Sequence, residues 1–402
     1  MKNLLNNLLF VLVAVVTLTI VSCTPDSDDD PVIDPTDGTI VVTENIAADA
    51  TWTSDNVYEL AGRIAVLDGV TLTIEAGTII KGRIGTGANA TALLIARGGK
   101  LMAEGTATSP IIFTTAGDLI TTEDIATGNF ASPNLEPTIS GLWGGLIVLG
   151  KAPISASNDN NEDISEVQIE GIPTSDANGL YGGTDAADNS GVLKYISIRH
   201  GGANIGAGNE INGLTLGGVG SGTVVEYIEV VGNQDDGIEW FGGTVNTSNV
   251  VVWNAGDDAI DTDQSWAGTL DNFVVLTPSD NIFELDGPEG SMVAGHVIKN
   301  GSVKASSDDV TSDDLINSDD NSDVDLENIY FTDIVGNQQI NKVTFPDGDV
   351  TFTNIVLDVV ADSLGNYVNG AVPAGVTAGT SSQADVSVLD WTWAGQAGML
   401  DF

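Results

Sequence analysis

Three copies of one short pattern decide the fold: Asp235-Asp236-Gly237-Ile238, Asp257-Asp258-Ala259-Ile260 and Ser279-Asp280-Asn281-Ile282. Each copy begins 22 residues after the previous one, and a valine of the preceding strand keeps the same offset, at Val230, Val252 and Val274. A steady period with one strand preserved in each unit is the signature of a solenoid. Leucine-rich repeats share such a period, but their L-x-x-L-x-L pattern is missing here. The sequence therefore predicts an all-β fold, a right-handed parallel β-helix with coils of ~20–25 residues.

The same kind of repeat extends to both sides of this stretch. Residues 72–82 (LTIEAGTIIKG) recur loosely as residues 93–105 (LLIARGGKLMAEG), and each copy is an alternating strand, a glycine corner and a second strand. Farther on, residues 192–200 (VLKYISIRH) align with residues 224–232 (VVEYIEVVG) at an offset of 32, which leaves room for a glycine-rich loop between them. We therefore expect the β-helix to occupy residues 46–402, with insertions near 119–138, 201–209 and 304–325.

The charge of the chain excludes one class of partner. Its 402 residues include 12 Lys and Arg against 57 Asp and Glu, which gives a formal net charge of −45. A nucleic-acid binder needs a basic surface to meet the phosphates, so no nucleic-acid partner is expected. The hydrophobic fraction of 42% is nevertheless sufficient for a large core.

The N-terminus has the features of a bacterial lipoprotein signal. Lys2 is followed by an apolar run and then by Ile20-Val21-Ser22-Cys23, which fits the lipobox pattern of a small residue before cysteine. The apolar run is short for a membrane span, which needs ~20 residues. We therefore expect a signal peptide at residues 1–22, a lipidated Cys23, and a disordered acidic linker over residues 23–45. Lipidation would anchor the protein in the outer membrane of a Gram-negative bacterium.

The repeated acidic residues are the candidate metal ligands. If the coils align, carboxylates from neighbouring coils stack at about 4.8 Å, and like charges at that spacing repel one another. Ca²⁺ prefers carboxylate oxygens and would remove the repulsion. The alternative is that the aspartates are solvated corner residues that form Asx turns. The candidate ligands are Asp236, Glu239, Asp258, Asp261, Asp263, Glu284 and Asp286.

Few cationic residues could serve as catalytic groups of a polysaccharide lyase. The candidates are Lys194, Arg199 and His200, which lie near the acidic coils in the sequence. The alternative is structural, because Lys194 aligns with Glu226 of the next coil and would pair with it. A glycoside hydrolase would instead use two carboxylates. Acidic residues are so abundant here that the sequence does not single out such a pair.

Tryptophans beside the acidic repeat are candidate ligand-binding residues. Exposed rings of Trp240, Trp253 and Trp266 would stack on sugar rings, whereas buried rings would form a ladder in the core. Near the C-terminus, Trp391 and Trp393 are expected to cover the open edge of the last coil, because solenoids need capped ends.

Several strings together carry a family resemblance. They are residues 143–154 (WGGLIVLGKAPI), 169–173 (IEGIP), 189–196 (NSGVLKYI), 209–222 (NEINGLTLGGVGSG), 241–246 (FGGTVN) and 389–393 (LDWTW). From about residue 50 onward, the chain resembles a family of predicted lipoproteins, mostly from Bacteroidetes, that is related to an outer-membrane lipoprotein of Leptospira. The resemblance implies a β-helix in the cell envelope, and it carries no established catalytic residues. The acidic run after Cys23 also resembles the export signal of surface lipoproteins in Bacteroidetes.

These observations leave three functions open. The first is a surface-exposed outer-membrane lipoprotein that acts as a binding, adhesive or structural module, with polysaccharide or a surface protein as partner and Ca²⁺ as a cofactor. The second is a polysaccharide lyase or glycoside hydrolase on a β-helix scaffold. The third is an accessory subunit of an outer-membrane complex, which would present an apolar outer patch to its neighbours.

Overall fold

The computed structural model describes residues 38–205 and 211–402. The predicted signal peptide 1–22 and Cys23 lie outside the described residues, as does most of the predicted linker. No helix in the described residues is long and apolar enough to cross a membrane.

Strands make up most of the regular secondary structure of the described chain. In chain order they are β1 (Thr39–Val42), β2 (Ala50–Trp52), β3 (Val57–Leu60), β4 (Arg63–Val66), β5 (Thr71–Ile74), β6 (Ile79–Gly82), β7 (Ala92–Ile95), β8 (Lys100–Glu104), β9 (Ile111–Thr115), β10 (Leu146–Leu149), β11 (Ala156–Ser157), β12 (Asp163–Ile164), β13 (Val167–Gln168), β14 (Leu180–Tyr181), β15 (Gly191–Arg199), β16 (Leu214–Gly217), β17 (Val224–Val231), β18 (Ile238–Phe241), β19 (Thr247–Trp253), β20 (Ile260–Asp263), β21 (Thr269–Leu276), β22 (Phe283–Leu285), β23 (His296–Lys304), β24 (Asn317–Ser318), β25 (Asp323–Thr332), β26 (Asp349–Leu357) and β27 (Val376–Ala378). The helices are α1 (Thr122–Ala126) and α2 (Trp393–Gln396), with 3₁₀ turns at Gly87–Asn89, Ala177–Gly179, Ala361–Tyr367 and Val386–Val388.

These strands form the predicted parallel β-helix. Over the described ranges, sheet A has fifteen strands and runs from β1 to β27, and sheet B has eight strands in the order β24-β22-β20-β18-β16-β10-β7-β4. Each coil contributes to both sheets, so strands far apart in sequence become parallel neighbours. The first strand, β1, pairs with β3. The β-helix therefore already includes Thr39–Val42, and the predicted linker 23–45 extends too far, because this β-branched run joins sheet A.

The long strands of sheet A share a bend. At the bend each strand has one residue with a positive φ angle: Tyr195, Tyr227, Asn249, Asn272, Asn300, Asn328 and Asn354. Asparagine tolerates this conformation better than most residues. Its side chain also links the coils, because Asn272 Nδ2 donates to Asn249 Oδ1 at 2.8 Å. The bend lets both halves of one strand face the core, as Leu270 and Phe273 of β21 do.

One of the predicted insertions differs from expectation. Residues 119–138 leave the coils as predicted and carry α1, whose Ile125 packs on Ile79 and Ile112. Residues 304–325 are not a pure insertion, because β24 within them pairs with β22 and completes a coil of sheet B. The described part of the predicted loop 201–209 ends at residue 205.

Residues 150–190 form a cover that the sequence did not predict. They contain the small antiparallel pairs β11–β12 and β13–β14. Ile154, Ile169 and Tyr181 from this segment pack against Ile147 and Phe241 on the outer face of sheet B. The cover thus buries part of a sheet face that would otherwise meet solvent.

The C-terminal segment lies on the outer face of sheet A, not over the last coil. Trp393 contacts Trp253 of β19, with ring centroids 5.9 Å apart, and Trp391 contacts Tyr195 of β15 at 5.5 Å. The prediction that both tryptophans cap the last coil was therefore wrong. The physical reason is an apolar outer surface on the middle strands, where Val251 and Leu276 pack against the segment.

Candidate functional site

The acidic residues of the repeat line up on neighbouring strands of sheet B. Glu239 of β18 pairs in register with Asp261 of β20, and Asp261 pairs with Glu284 of β22. These side chains alternate with core residues such as Trp240, so they project from the outer face of the sheet. The sequence repeat therefore predicted this stack correctly.

The corner position of the repeat is offset by one residue in the third copy. Asp236 Oδ1 accepts a hydrogen bond from the backbone N–H of Asp258 at 2.9 Å, and Asp258 Oδ1 accepts one from the N–H of Asn281 at 2.5 Å. Asn281, not Asp280, thus follows Asp236 and Asp258 in line. Both corner aspartates accept backbone hydrogen bonds, but they are not solvated as the alternative expected, because Asp236 and Asp258 are only 7% and 2% exposed.

Three carboxylates converge in this buried region. One oxygen from each of Asp236, Glu239 and Asp261 lies within 4.8 Å of the others, and all three side chains are buried. Asn212 donates from its side-chain amide to Glu239 Oε2. Two oxygens at the cluster, Asp261 Oδ1 and Asn212 Oδ1, have no hydrogen-bond partner among the described residues. We call Asp236, Glu239, Asp261 and Asn212 the acidic cluster.

The carboxylates of this region have no directly paired cation among the described residues, although Lys342 lies near enough to attract Asp286. None of the ion pairs between described residues includes the seven candidate ligands. Burial raises the pKa of Asp236, Glu239 and Asp261 well above the usual range, and the neighbouring carboxylates raise it further. In the adjoining positions, burial raises the pKa of Asp258 to about 9 and that of Asp263 to about 8. Without a cation, the region therefore binds protons at neutral pH.

The donor set of the acidic cluster fits a hard cation. Ca²⁺ binds oxygen ligands at about 2.3–2.6 Å, so two oxygens on one ion lie up to about 5 Å apart. The mutual distances of the three carboxylate oxygens satisfy this limit. The two unpartnered oxygens would complete their bonding by coordination, since buried acceptors otherwise remain unsatisfied.

The family comparison supports the fold on which this cluster is built. A family model described as a pectate-lyase-like beta helix domain matches residues 44–394. The chain belongs to this family. No curated protein and no solved structure matches it. The match bears out the β-helix that the sequence resemblance implied, and it does not extend to a lipoprotein family of Bacteroidetes or Leptospira.

The predicted cationic residues of this pectate-lyase-like chain do not converge on a site. Lys194 pairs with Glu226 at 3.0 Å on the surface of sheet A. Arg199 is fully buried 3.6 Å from Glu229, and the Nδ1 atom of buried His200 hydrogen-bonds to the carbonyl oxygen of Ile139 at 2.6 Å. The lyase hypothesis for Lys194, Arg199 and His200 is therefore wrong in this structure, because two of the three side chains have no access to a substrate.

The three predicted sugar-stacking tryptophans are buried, two inside the β-helix and one on the outer face of sheet A. Trp240 and Trp266 are fully buried and stack on each other, with ring centroids 4.7 Å apart. Trp253 lies under Trp393 of the C-terminal segment. A buried ring has no free face for a sugar. Trp240 and Trp266 therefore form the alternative core ladder, whereas Trp253 is covered by the C-terminal segment.

Sequence reasoning missed Asn212 of the acidic cluster. It follows Ile211 at the start of the second described range, in a glycine-rich connection without a strand pattern. The acidic spacing gave the position of the carboxylates, but nothing local marked the amide that bonds to them. The one indication in the sequence was indirect. A stack of acidic residues on an outer sheet face implies that a covering segment supplies their polar partners.

Proposed function

We propose that the protein is a calcium-binding, glycan-directed module of the bacterial cell envelope, anchored at the surface of the outer membrane through lipid on Cys23. The lipobox and the acidic linker support the anchor and the location. The observation that carries the calcium proposal is the acidic cluster, with three converging buried carboxylates and two oxygens that lack a partner.

The burial of its ligands supports a structural role for the proposed cation. A side chain that is 7–9% exposed, as in Asp236, Glu239 and Asp261, cannot share its cation with a bulky polysaccharide. Ca²⁺ would instead join β18 to β20 and fix the segment that carries Asn212. The glycan then contacts another surface, held rigid by the stiffened coils.

A direct titration tests the cation proposal. The chain from Thr24 onward, treated with chelator and dialysed, is titrated with CaCl₂ in a calorimeter. We expect saturable binding and a higher melting temperature. The Asp261→Asn variant should lose most of the affinity, whereas Asp308→Asn, at an exposed aspartate, should bind as the parent does. Absence of binding by the parent chain, or equal binding by both variants, would refute the proposal.

The envelope location needs its own test in cells. Cys23→Ser removes the acceptor thiol and leaves the described residues unchanged. We expect the parent protein to incorporate labelled palmitate, to fractionate with the outer membrane and to be cut by external protease. The variant should lose the label. A parent protein that remains unlabelled would exclude the lipid anchor.

A polysaccharide-active enzyme is the second candidate. The observation in its favour is the pair of raised pKa values at Asp263, about 8, and Asp286, about 7, because a general acid must hold a proton at neutral pH. Incubation with plant, algal and host polysaccharides decides between the two. Retention without shortening of any polymer supports the binding module, and shortening that disappears in Asp263→Asn supports the enzyme.

A further inference from the structure

A free strand edge lies at the C-terminal end of sheet A, away from the acidic cluster. The last long strand, β26, has nine residues, but its outer neighbour β27 pairs only with Ile355–Leu357. Residues 349–354 therefore have β25 on one side and none of the described strands on the other. The C-terminal tryptophans leave this edge open, because they lie on the outer face of β15 and β19.

The inward side chains of this half-strand lack the cover that their equivalents have in the preceding coil. Val350 and Phe352 stack in register on Val324 and Leu326 of β25. Val324 and Leu326 are buried, with 1% and 0% exposure, whereas Val350 and Phe352 are only partly buried. One further strand along β26 would bury them, just as β26 buries the side chains of β25.

The outward side chains at the same edge are acidic. Asp323 of β25 pairs in register with Asp349, and Asp325 pairs with Thr351. None of the ion pairs between described residues includes these three aspartates. Burial raises the pKa of Asp323, and the neighbouring Asp349 and Asp325 raise it further. Like charges opposite each other destabilise a sheet, so positive charge beside them would remove a repulsion.

These features together select an extended polypeptide as the occupant. A free sheet edge presents backbone N–H and C=O groups at the spacing of a β-strand, which another strand matches. Because the side chains of a strand alternate between two faces, the added strand would place apolar residues beside Val350 and Phe352. Its other side chains would lie on the face of Asp349 and Asp325, where basic residues fit. A second copy of this chain is disfavoured, because it would bring a further formal charge of −45 to an acidic edge.

We propose that the free half of β26 binds an extended basic segment of a partner protein, which adds a strand to sheet A. The recognised pattern is lysine or arginine alternating with an apolar residue, opposite residues 349–353. This inference goes beyond the proposed function, since it depends on neither the calcium site, the lipid anchor nor a glycan.

The test uses the chain from Thr24 and a fluorescein-labelled nine-residue peptide in which lysine alternates with valine, with both ends blocked. Fluorescence anisotropy measures the affinity, and hydrogen exchange with mass spectrometry locates the contact. We expect saturable binding and slower amide exchange in residues 349–354. A peptide of the same composition, with its lysines and valines in two separate blocks, should bind at least tenfold more weakly.

Substitutions separate recognition by this edge from general attraction to an acidic protein. Asp349→Lys should weaken binding at least tenfold, whereas Asp308→Lys, the same change at an exposed aspartate elsewhere, should weaken it less than twofold. Phe352→Ala should weaken binding several-fold by removing apolar contact. Val293→Ala, at an exposed valine outside the edge, is the matched control and should leave the affinity unchanged. Circular dichroism checks that every variant is folded.

Several results would overturn the proposal. They are absence of binding by the parent chain, equal affinity for the block peptide, equal losses in Asp349→Lys and Asp308→Lys, and slower exchange confined to other residues. Sedimentation of the parent chain alone tests the other occupant. Self-association that Asp349→Lys alters would assign the edge to a second copy and would likewise overturn the proposal. The calcium and polysaccharide experiments give their results independently of these outcomes.

Discussion

Raising the pH should destabilise the calcium-free protein, because its buried carboxyls must give up their protons. Burial and the neighbouring Glu289 raise the pKa of Asp263 to about 8 from its usual 3.8. A carboxyl with a raised folded-state pKa stabilises the fold fully below its unfolded pKa. This stabilisation is lost as pH rises through the folded value. The predicted effect is thus the opposite of acid denaturation.

The magnitude follows from proton linkage. A carboxyl that is protonated when folded and ionised when unfolded lowers the free energy of unfolding by about 1.4 kcal/mol per pH unit. Between about pH 6.5 and 8, Asp263 alone therefore removes about 2 kcal/mol. Asp258, with its pKa raised to about 9, removes a similar amount. At about 1 °C per kcal/mol for a chain of this size, the melting temperature should fall by about 4 °C or more.

The assay is thermal melting by calorimetry at constant ionic strength, in chelator and in millimolar Ca²⁺. The window avoids the histidines, because burial lowers the pKa of His296 to about 3 and also lowers that of His200, so both are neutral above about pH 6.5. Bound Ca²⁺ should flatten the pH dependence, since the ligating carboxylates are then ionised when folded. Asp263→Asn should remove its share of the slope. A melting temperature in chelator that is constant or rises across the window would refute the reasoning.

Two further substitutions test the packing of sheet A. Glu229→Gln should leave the buried guanidinium of Arg199 without its charge partner, which costs about 3–5 kcal/mol in the free energy of unfolding. It should also make the C-terminal segment sensitive to protease, because Glu229 accepts a hydrogen bond from the N–H of Ala394. Unchanged stability and proteolysis would contradict this account. Gly301→Ala should lower the free energy of unfolding by at least about 1–3 kcal/mol, because the new methyl carbon would lie 2.0 Å from Phe273 Cζ. Gly336→Ala is the matched control, since no atom lies within 4 Å of its methyl position. Denaturant titration measures both variants, and a similar loss of stability in the two would rule out the steric explanation.

The repeat in the sequence was sufficient to predict the coils and the stacking of Glu239 on Asp261. Coil register depends on local spacing, which a fixed offset records directly. The sequence repeat was insufficient in the third coil, where one extra residue precedes Asn281. The offset of 22 there aligned Asp280 with Asp258, whereas Asn281 occupies that place in the structure. A single extra residue at a corner changes the register without changing the look of the pattern.

The covers over the two sheets could not be predicted from local patterns. Trp393 packs on Trp253 although 140 residues separate them, since 393 − 253 = 140. Whether such a segment caps the end of the solenoid or returns along its side depends on which outer surface is apolar, which emerges only after the coils have stacked. The burial of Asp236 could not be predicted from its residue type either, because aspartates are usually exposed.

The distribution of charge along the ladder argues that the carboxylates serve more than coil stacking. Asn281 occupies the third place in the corner ladder, so a neutral side chain is accommodated where Asp236 and Asp258 stand in the preceding coils. The neighbouring ladder is neutral at both ends, where Thr215 precedes Glu239 and Asn317 follows Glu284. Neutral residues are therefore sufficient for stacking the coils. The carboxylates are concentrated in the few coils where burial and mutual repulsion disfavour their ionised form. Stacking of the coils does not require these buried negative charges, but a cation site does. The attraction of the carboxylates to a bound cation would exceed the repulsion between the carboxylates.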